Sequence, residues 1–227
     1  MRDSYQQFFS KGFISKEQFF EFGLQETIYI PLDKAELEWE KLKTRIKNNE
    51  ETYIRGFGRD ASGTHLFQEL YKNILGNENI KKDPTNNNKP TKLIRELTGY
   101  SKSVTSKNSK YKLIRNYQVS HVFGRTKNVY AFTAPWNIVY LPKILDPFTG
   151  HEAKGEMIEE FTTLFQQQCY GAFSALIEDF NQTITSPELT EKLTQYIYKL
   201  ENNSDLEAKI FKKLRNAIET EFEPIIL

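Results

Sequence analysis

The 227-residue chain has a single cysteine, Cys169, and no apolar run near the length of about 20 residues that crosses a bilayer. One cysteine excludes a disulfide framework and a zinc site built from cysteines of this chain, so zinc is not expected. The first ten residues lack the apolar stretch of a secretory signal peptide. The sequence also lacks a Gly-x4-Gly-Lys-Ser/Thr phosphate loop. We therefore expect a cytoplasmic protein that has no membrane segment and no P-loop ATPase activity.

The net charge of only +1 conceals a strong segregation of charge along the chain. Residues 81–127 contain twelve Lys and Arg side chains against Asp83 and Glu96, whereas residues 152–227 contain seven basic and fourteen acidic side chains. A local basic block attracts nucleic-acid phosphates, because each neutralised phosphate releases condensed counterions. A solvated basic loop is the alternative interpretation. The candidate DNA contacts are Lys89, Lys92, Arg95, Lys102, Lys107, Lys110, Lys112, Arg115, Arg125 and Lys127.

Helix signals dominate both ends of the chain. Ser15 with Gln18 has the form of a capping box, and Ser186 followed by Pro187 is typical of a helix start. Apolar residues keep a helical period from about residue 150 to residue 181. We predict one compact unit with four segments: a mostly helical region (1–80), a basic segment (81–115), a central core (116–181) and C-terminal helices (182–227). Within the basic segment, residues 81–90 are predicted to be an exposed loop, and residues 91–97 a short helix.

Four polar residues of the central core are candidates for a catalytic or metal site. The sequence predicts a strand that ends at His121, an irregular loop, and a second strand that begins near Asn137. A short connection containing Asp146 then leads to a helix whose first turn is predicted to hold His151. An imidazole is suited to deprotonating water near neutral pH, and carboxylates and imidazoles bind divalent metals.

This order of strand-His, loop-Asn, strand and helix-His resembles the ββα-metal nucleases of the HNH type, over roughly residues 115–165. The resemblance implies that His121 is the general base and that Asn137 orients the imidazole or braces the loop. It also implies that His151, with Asp146, holds one Mg²⁺ or Mn²⁺ ion. Ser120 stands where many such enzymes have an aspartate, and the spacing from Asn137 to His151 is longer than is typical.

Two other patterns compete with this interpretation. Asp146 with Glu152 and Lys154 spells the D…ExK pattern of another nuclease class, which places those residues on a buried strand. Residues 93–104 loosely resemble the first helix and turn of a helix-turn-helix, which favours a non-catalytic DNA-binding regulator.

The preferred interpretation is a helix-rich α+β fold with a small ββα-metal nuclease motif embedded among helices. Its expected function is that of a sequence-specific double-stranded DNA endonuclease of the type II restriction kind. By analogy with such enzymes, a homodimer is expected, because cutting both strands of a palindrome takes two sites related by a two-fold axis. The alternatives are the regulator and a homing or phage nuclease of the same type.

Overall fold

The computed structural model describes residues 3–103, 110–150, 153–203 and 206–227. Those residues form a helix-rich α+β fold with eight α-helices and three small sheets. The helices are α1 (Ser4–Phe9), α2 (Lys16–Gln25), α3 (Leu32–Lys47), α4 (Thr64–Leu75), α5 (Asn88–Thr98), α6 (Glu156–Ile184), α7 (Pro187–Asn203) and α8 (Ala208–Glu221).

Each of the three sheets has two strands. β1 (Thr52–Ile54) pairs in parallel with β2 (Ile80–Lys82), and α4 connects them. β3 (Tyr100–Ser101) pairs in parallel with β4 (Lys112–Leu113). β5 (Tyr117–His121) pairs antiparallel with β6 (Ile138–Pro142), with His121 opposite Ile138. The β1–β2 pair crosses the predicted boundary between segments 1–80 and 81–115, so the basic segment begins inside a sheet.

The hydrophobic core joins the β5–β6 pair to α3 and α6. Trp136 is fully buried just before β6, and its ring meets Trp39 of α3 at 5.9 Å and Phe180 of α6 at 5.0 Å between centroids. The Cys169 thiol of α6 donates to the Trp136 carbonyl at 3.1 Å. These contacts fix the start of β6 against the long helix, and with it the end of the loop that follows His121.

The first turns of the helices show which local signals decide the fold. The predicted capping box is confirmed: the Ser15 hydroxyl accepts from the Gln18 amide at 3.1 Å, and Gln18 Oε1 accepts from the Ser15 amide at 3.2 Å. The predicted helix start near residue 150 is wrong. A 3-10 turn over Lys143–Thr149 ends at Gly150 with φ 79°, and α6 begins only at Glu156. The first turn of α6 therefore does not include residue 151.

The predicted loop over residues 81–90 is also partly wrong. Residues 81 and 82 belong to β2, and α5 begins at Asn88. The cause is Asp83, which is fully buried and accepts hydrogen bonds from the backbone amides of Asn88 at 2.9 Å and Lys89 at 2.7 Å. A carboxylate at this position satisfies amides that the first helical turn leaves without a partner.

No helix among the described residues is long and apolar enough to span a membrane.

Candidate active site

His121 occupies the end of β5 and is buried, with 6% of its surface exposed. Its Nε2 lies 2.9 Å from the Phe132 carbonyl oxygen, and its ring stacks on the Phe132 ring at 5.4 Å between centroids. Because a carbonyl oxygen only accepts hydrogen bonds, Nε2 carries the proton. In the neutral imidazole the lone pair then resides on Nδ1, which is the atom that can accept a proton.

Asn137 braces the loop between His121 and β6. The side chain is fully buried, and its Oδ1 accepts from the Phe123 amide at 2.9 Å. Its Nδ2 donates to the Gly124 carbonyl at 2.9 Å and to the Ala131 carbonyl at 3.0 Å. One amide group thus joins both sides of the loop directly behind His121. The catalytic role that the resemblance implies for Asn137 stays a prediction.

A polar cleft of about 280 Å³ opens beside His121. Asp146 lies in the 3-10 turn after β6 and lines this cleft, and Gln118 Nε2 donates to its Oδ1. Ser120 is also part of the lining. The structure therefore brings two of the predicted site residues, His121 and Asp146, to one cleft. Asn137 is not part of the lining and instead binds the loop that follows His121.

The predicted metal site is only partly described. His151 and Glu152 lie outside the described residues. No group of three His, Cys, Asp or Glu side chains is placed to hold a metal ion in the described ranges. Mg²⁺ in phosphoryl-transfer sites often takes one or two carboxylates and completes its shell with water and substrate phosphate. An oriented carboxylate in an open polar cleft fits that donor set, and Asp146 is such a group.

Two of the predicted DNA contacts lie in the loop after His121 and pair with acids near the C-terminus. Arg125 Nη2 lies 3.2 Å from Glu223, and Lys127 Nζ lies 2.9 Å from Glu221. Glu221 is 3% exposed, and its Oε2 also accepts from the backbone amides of Lys127 at 2.9 Å and Asn128 at 3.0 Å. The charges of this loop are therefore compensated within the protein.

The other described candidates for DNA contacts lie on α5 and beside the β3–β4 pair. Lys89 Nζ lies 3.7 Å from the centroid of the Tyr53 ring, and the Arg95 guanidinium lies 5.4 Å from that of Tyr111. Desolvation, followed by repulsion from Lys143, lowers the pKa of Lys102. Lys107 lies outside the described residues. Exposed positions are taken by Lys92, Lys102, Lys110, Lys112 and Arg115.

The two competing patterns fit the structure less well. Lys154 is exposed and lies in the irregular segment before α6, whereas the D…ExK pattern places its lysine on a buried strand. After α5 the chain turns at Gly99 with φ 78° and enters β3. Within the described part of the chain, the segment that resembled a helix-turn-helix thus continues into a strand pair.

Two cleft residues were not singled out from the sequence. Arg55 follows β1 directly, and Asn87 precedes α5, yet both line the cleft beside His121. Their distance in sequence from His121 hides this proximity. Only the topology could have indicated it. The carboxyl ends of neighbouring parallel strands, and the helix starts that follow them, lie at the same edge of a sheet, which brings Arg55 and Asn87 together.

Comparison with known proteins places the chain in a family. Residues 30–227 match the family described as "Uncharacterised protein PM1201", and the chain belongs to that family. The chain is 42% identical over 225 residues to a Pasteurella multocida (strain Pm70) protein of the same description, a match that covers 99% of this chain and 97% of that protein. No solved structure matches the chain significantly. The family match spans the whole cleft, from Arg55 to Asp146.

Proposed function

We propose that this protein is a metal-dependent endonuclease that hydrolyses double-stranded DNA in the cleft beside His121. One observation carries the proposal. A histidine ends the first strand of an antiparallel pair, an asparagine just before the second strand ties the intervening loop together, and a carboxylate from the next turn shares the histidine's cleft. The long helix α6 follows in the chain, as a ββα arrangement requires.

The chemistry of His121 follows from its hydrogen bond to Phe132. The carbonyl fixes the ring with Nε2–H as donor, so Nδ1 is the atom that takes a proton from an attacking water. The loop carbonyl also stabilises the imidazolium that forms, because an N–H donor becomes stronger when the ring is charged. Asn137 keeps the loop, and hence the Phe132 carbonyl, in position.

Asp146 is the described residue that would hold the divalent ion. When it is bound, Mg²⁺ or Mn²⁺ supplies a positive charge for the pentavalent phosphate and for the departing 3′ oxygen. Gln118 orients the Asp146 carboxylate within the cleft. By resemblance, His151 would be the second ligand.

The basic side chains on α5 and around β4 would contact the DNA backbone. Their contacts would position the duplex without reading its sequence, and polar side chains of the same segment would read base edges. Restriction of type II by a homodimer is the specific form of this proposal. It follows by analogy from the symmetry of palindromic sites.

The test is digestion of plasmid and phage DNA in Mg²⁺ and in EDTA with the wild-type protein and with His121→Ala. His65→Ala is the matched control, because His65 is exposed on α4 and its described hydrogen bond is to the nearby Ser62 carbonyl, at 3.0 Å. We expect discrete, metal-dependent fragments from the wild type and from His65→Ala, and none from His121→Ala.

The other outcomes are equally informative. DNA binding without cleavage in either metal would refute the nuclease and favour the regulator. Cleavage that survives His121→Ala would support the nuclease function but make Asp146 and Lys154 the candidate catalytic residues in place of His121. Mapped ends at an asymmetric site would favour a homing or phage nuclease, and sedimentation analysis would give the oligomeric state.

A further inference from the structure

We propose that Arg55 binds the scissile phosphate opposite His121, so that the β1–α4–β2 unit supplies a catalytic residue to the cleft. This inference rests on the proposed nuclease function and adds a residue that the ββα arrangement itself does not contain. It makes residues far upstream of the β5–β6 pair part of the active site.

The position of Arg55 is set by two independent constraints. Arg55 follows the last residue of β1, and β1 runs parallel to β2, so the carboxyl ends of both strands meet at one edge. Crevices at such edges are common ligand sites in sheets with parallel strands. The Arg55 backbone amide also donates to the Thr126 carbonyl at 2.9 Å, in the loop that follows His121. The strand end and the loop thus hold Arg55 beside the proposed general base.

Arg55 shares its cleft with the carboxylate of Asp146 but is not paired with it in the described structure. Arg55 is partly buried, yet it forms no ion pair with an acidic side chain in the ranges that the structure describes. Asp146 lines the same cleft but receives its hydrogen bond from Gln118. Arg125 and Lys127, by contrast, are paired with C-terminal glutamates. A partly desolvated cation in a cleft is stabilised by an anionic ligand, and a guanidinium matches the geometry of phosphate oxygens.

Asn87 gives the cleft a second unsatisfied polar group. Its Oδ1 is buried and has no hydrogen-bond partner among the described groups, and Asn87 lines the cleft together with Arg55. Buried polar atoms in proteins are almost always hydrogen-bonded. The side-chain oxygen of Asn87, Oδ1, would accept a hydrogen bond from the attacking water, while Arg55 donates to the phosphate oxygens.

The step itself balances without another reactant. The water oxygen bonds to phosphorus as its proton passes to His121, and the P–O3′ bond breaks. The departing 3′ oxygen takes a proton from solvent. The non-bridging oxygens gain negative charge in the transition state, so the hydrogen bonds from Arg55 strengthen there and accelerate the chemical step.

The experiment compares Arg55→Met and Arg55→Ala with Arg59→Met in the full-length protein. Arg59 is the matched control, because it lies four residues away and its side chain is 94% exposed. We expect Arg55→Met to lower the single-turnover cleavage rate by about 10²- to 10³-fold, the range found for removal of one preorganised donor to a transition-state anion. Duplex binding, measured in Ca²⁺, should change only a few-fold. Added guanidinium should restore part of the rate to Arg55→Ala.

The possible results distinguish a failure of the role proposed for Arg55 from a failure of the proposed nuclease function. Loss of rate in Arg55→Met with recovery by guanidinium supports the inference, provided that circular dichroism shows both variants folded. Full activity in Arg55→Met, with His121→Ala inactive, would overturn the role of Arg55 and keep the nuclease. A lowered rate without recovery by guanidinium, accompanied by a lowered melting temperature, would make Arg55 structural. A wild-type protein that does not cleave DNA would refute both.

Discussion

Replacing Asn137 by alanine is expected to lower the free energy of unfolding by about 3–5 kcal/mol and to abolish DNA cleavage. The Asn137 side chain makes three described hydrogen bonds, to the Phe123 amide and to the Gly124 and Ala131 carbonyls. A net contribution of about 1 kcal/mol from each gives about 3 kcal/mol. The cost increases further because Phe123 is buried, so that its amide loses its described acceptor, whereas the Ala131 carbonyl still accepts from the Ala134 amide at 3.2 Å.

The assay is urea denaturation followed by tryptophan fluorescence, which reports the packing of Trp39 against Trp136. Asn202→Ala is the control, because Asn202 is exposed and its described side-chain hydrogen bond is to the Tyr198 carbonyl one turn away. The control should shift the unfolding free energy by no more than about 0.5 kcal/mol. A loss below about 1 kcal/mol for Asn137→Ala, with an unchanged m-value, would refute the bracing role.

Two further predictions concern buried groups with raised pKa values. Burial raises the pKa of the Cys169 thiol. Iodoacetamide at pH 8 should therefore label Cys169 far more slowly in the native protein than in urea. Rapid labelling of the native protein would contradict the packing of Cys169 against Trp136. Burial also raises the pKa of Tyr140 and that of Tyr196 to about 12 from the ordinary 10.0. Because the unfolded chain then ionises first, the free energy of unfolding should stay level up to about pH 10 and fall between about pH 10 and 12. Denaturation at stepped pH tests this, and full tyrosine ionisation near pH 10 in the native protein would refute it.

Local sequence signals predicted those parts of the fold that local interactions decide. The capping box at Ser15 and the helix that begins at Pro187 are both present where the sequence placed them. The sequence also predicted correctly that one strand ends at His121 and that the next begins near Asn137. Each of these features depends on residues within a few positions or on a single loop.

Features set by distant residues could not be predicted in this way. The loop charges at Arg125 and Lys127 were expected to face DNA, but their partners Glu223 and Glu221 lie 98 and 94 residues away. Arg55 lies at the cleft because β1 pairs in parallel with β2, and no short sequence motif predicts that pairing. A charge count along the chain therefore located the basic segment without showing which cations are already compensated.

The contact of Glu221 with the loop has a consequence for the order in which the protein becomes active. Lys127 and Asn128 leave the ribosome before Glu221, which is made 94 residues later than Lys127. At about 5–20 residues per second, the loop beside His121 waits about 5–20 s for its buried acceptor. A nascent chain that already contains His121, Asn137 and Asp146 would therefore still lack Glu221, one of the two side chains that hold the loop after His121. Under the proposed nuclease function, this delay would confine activity to chains whose synthesis has passed α8.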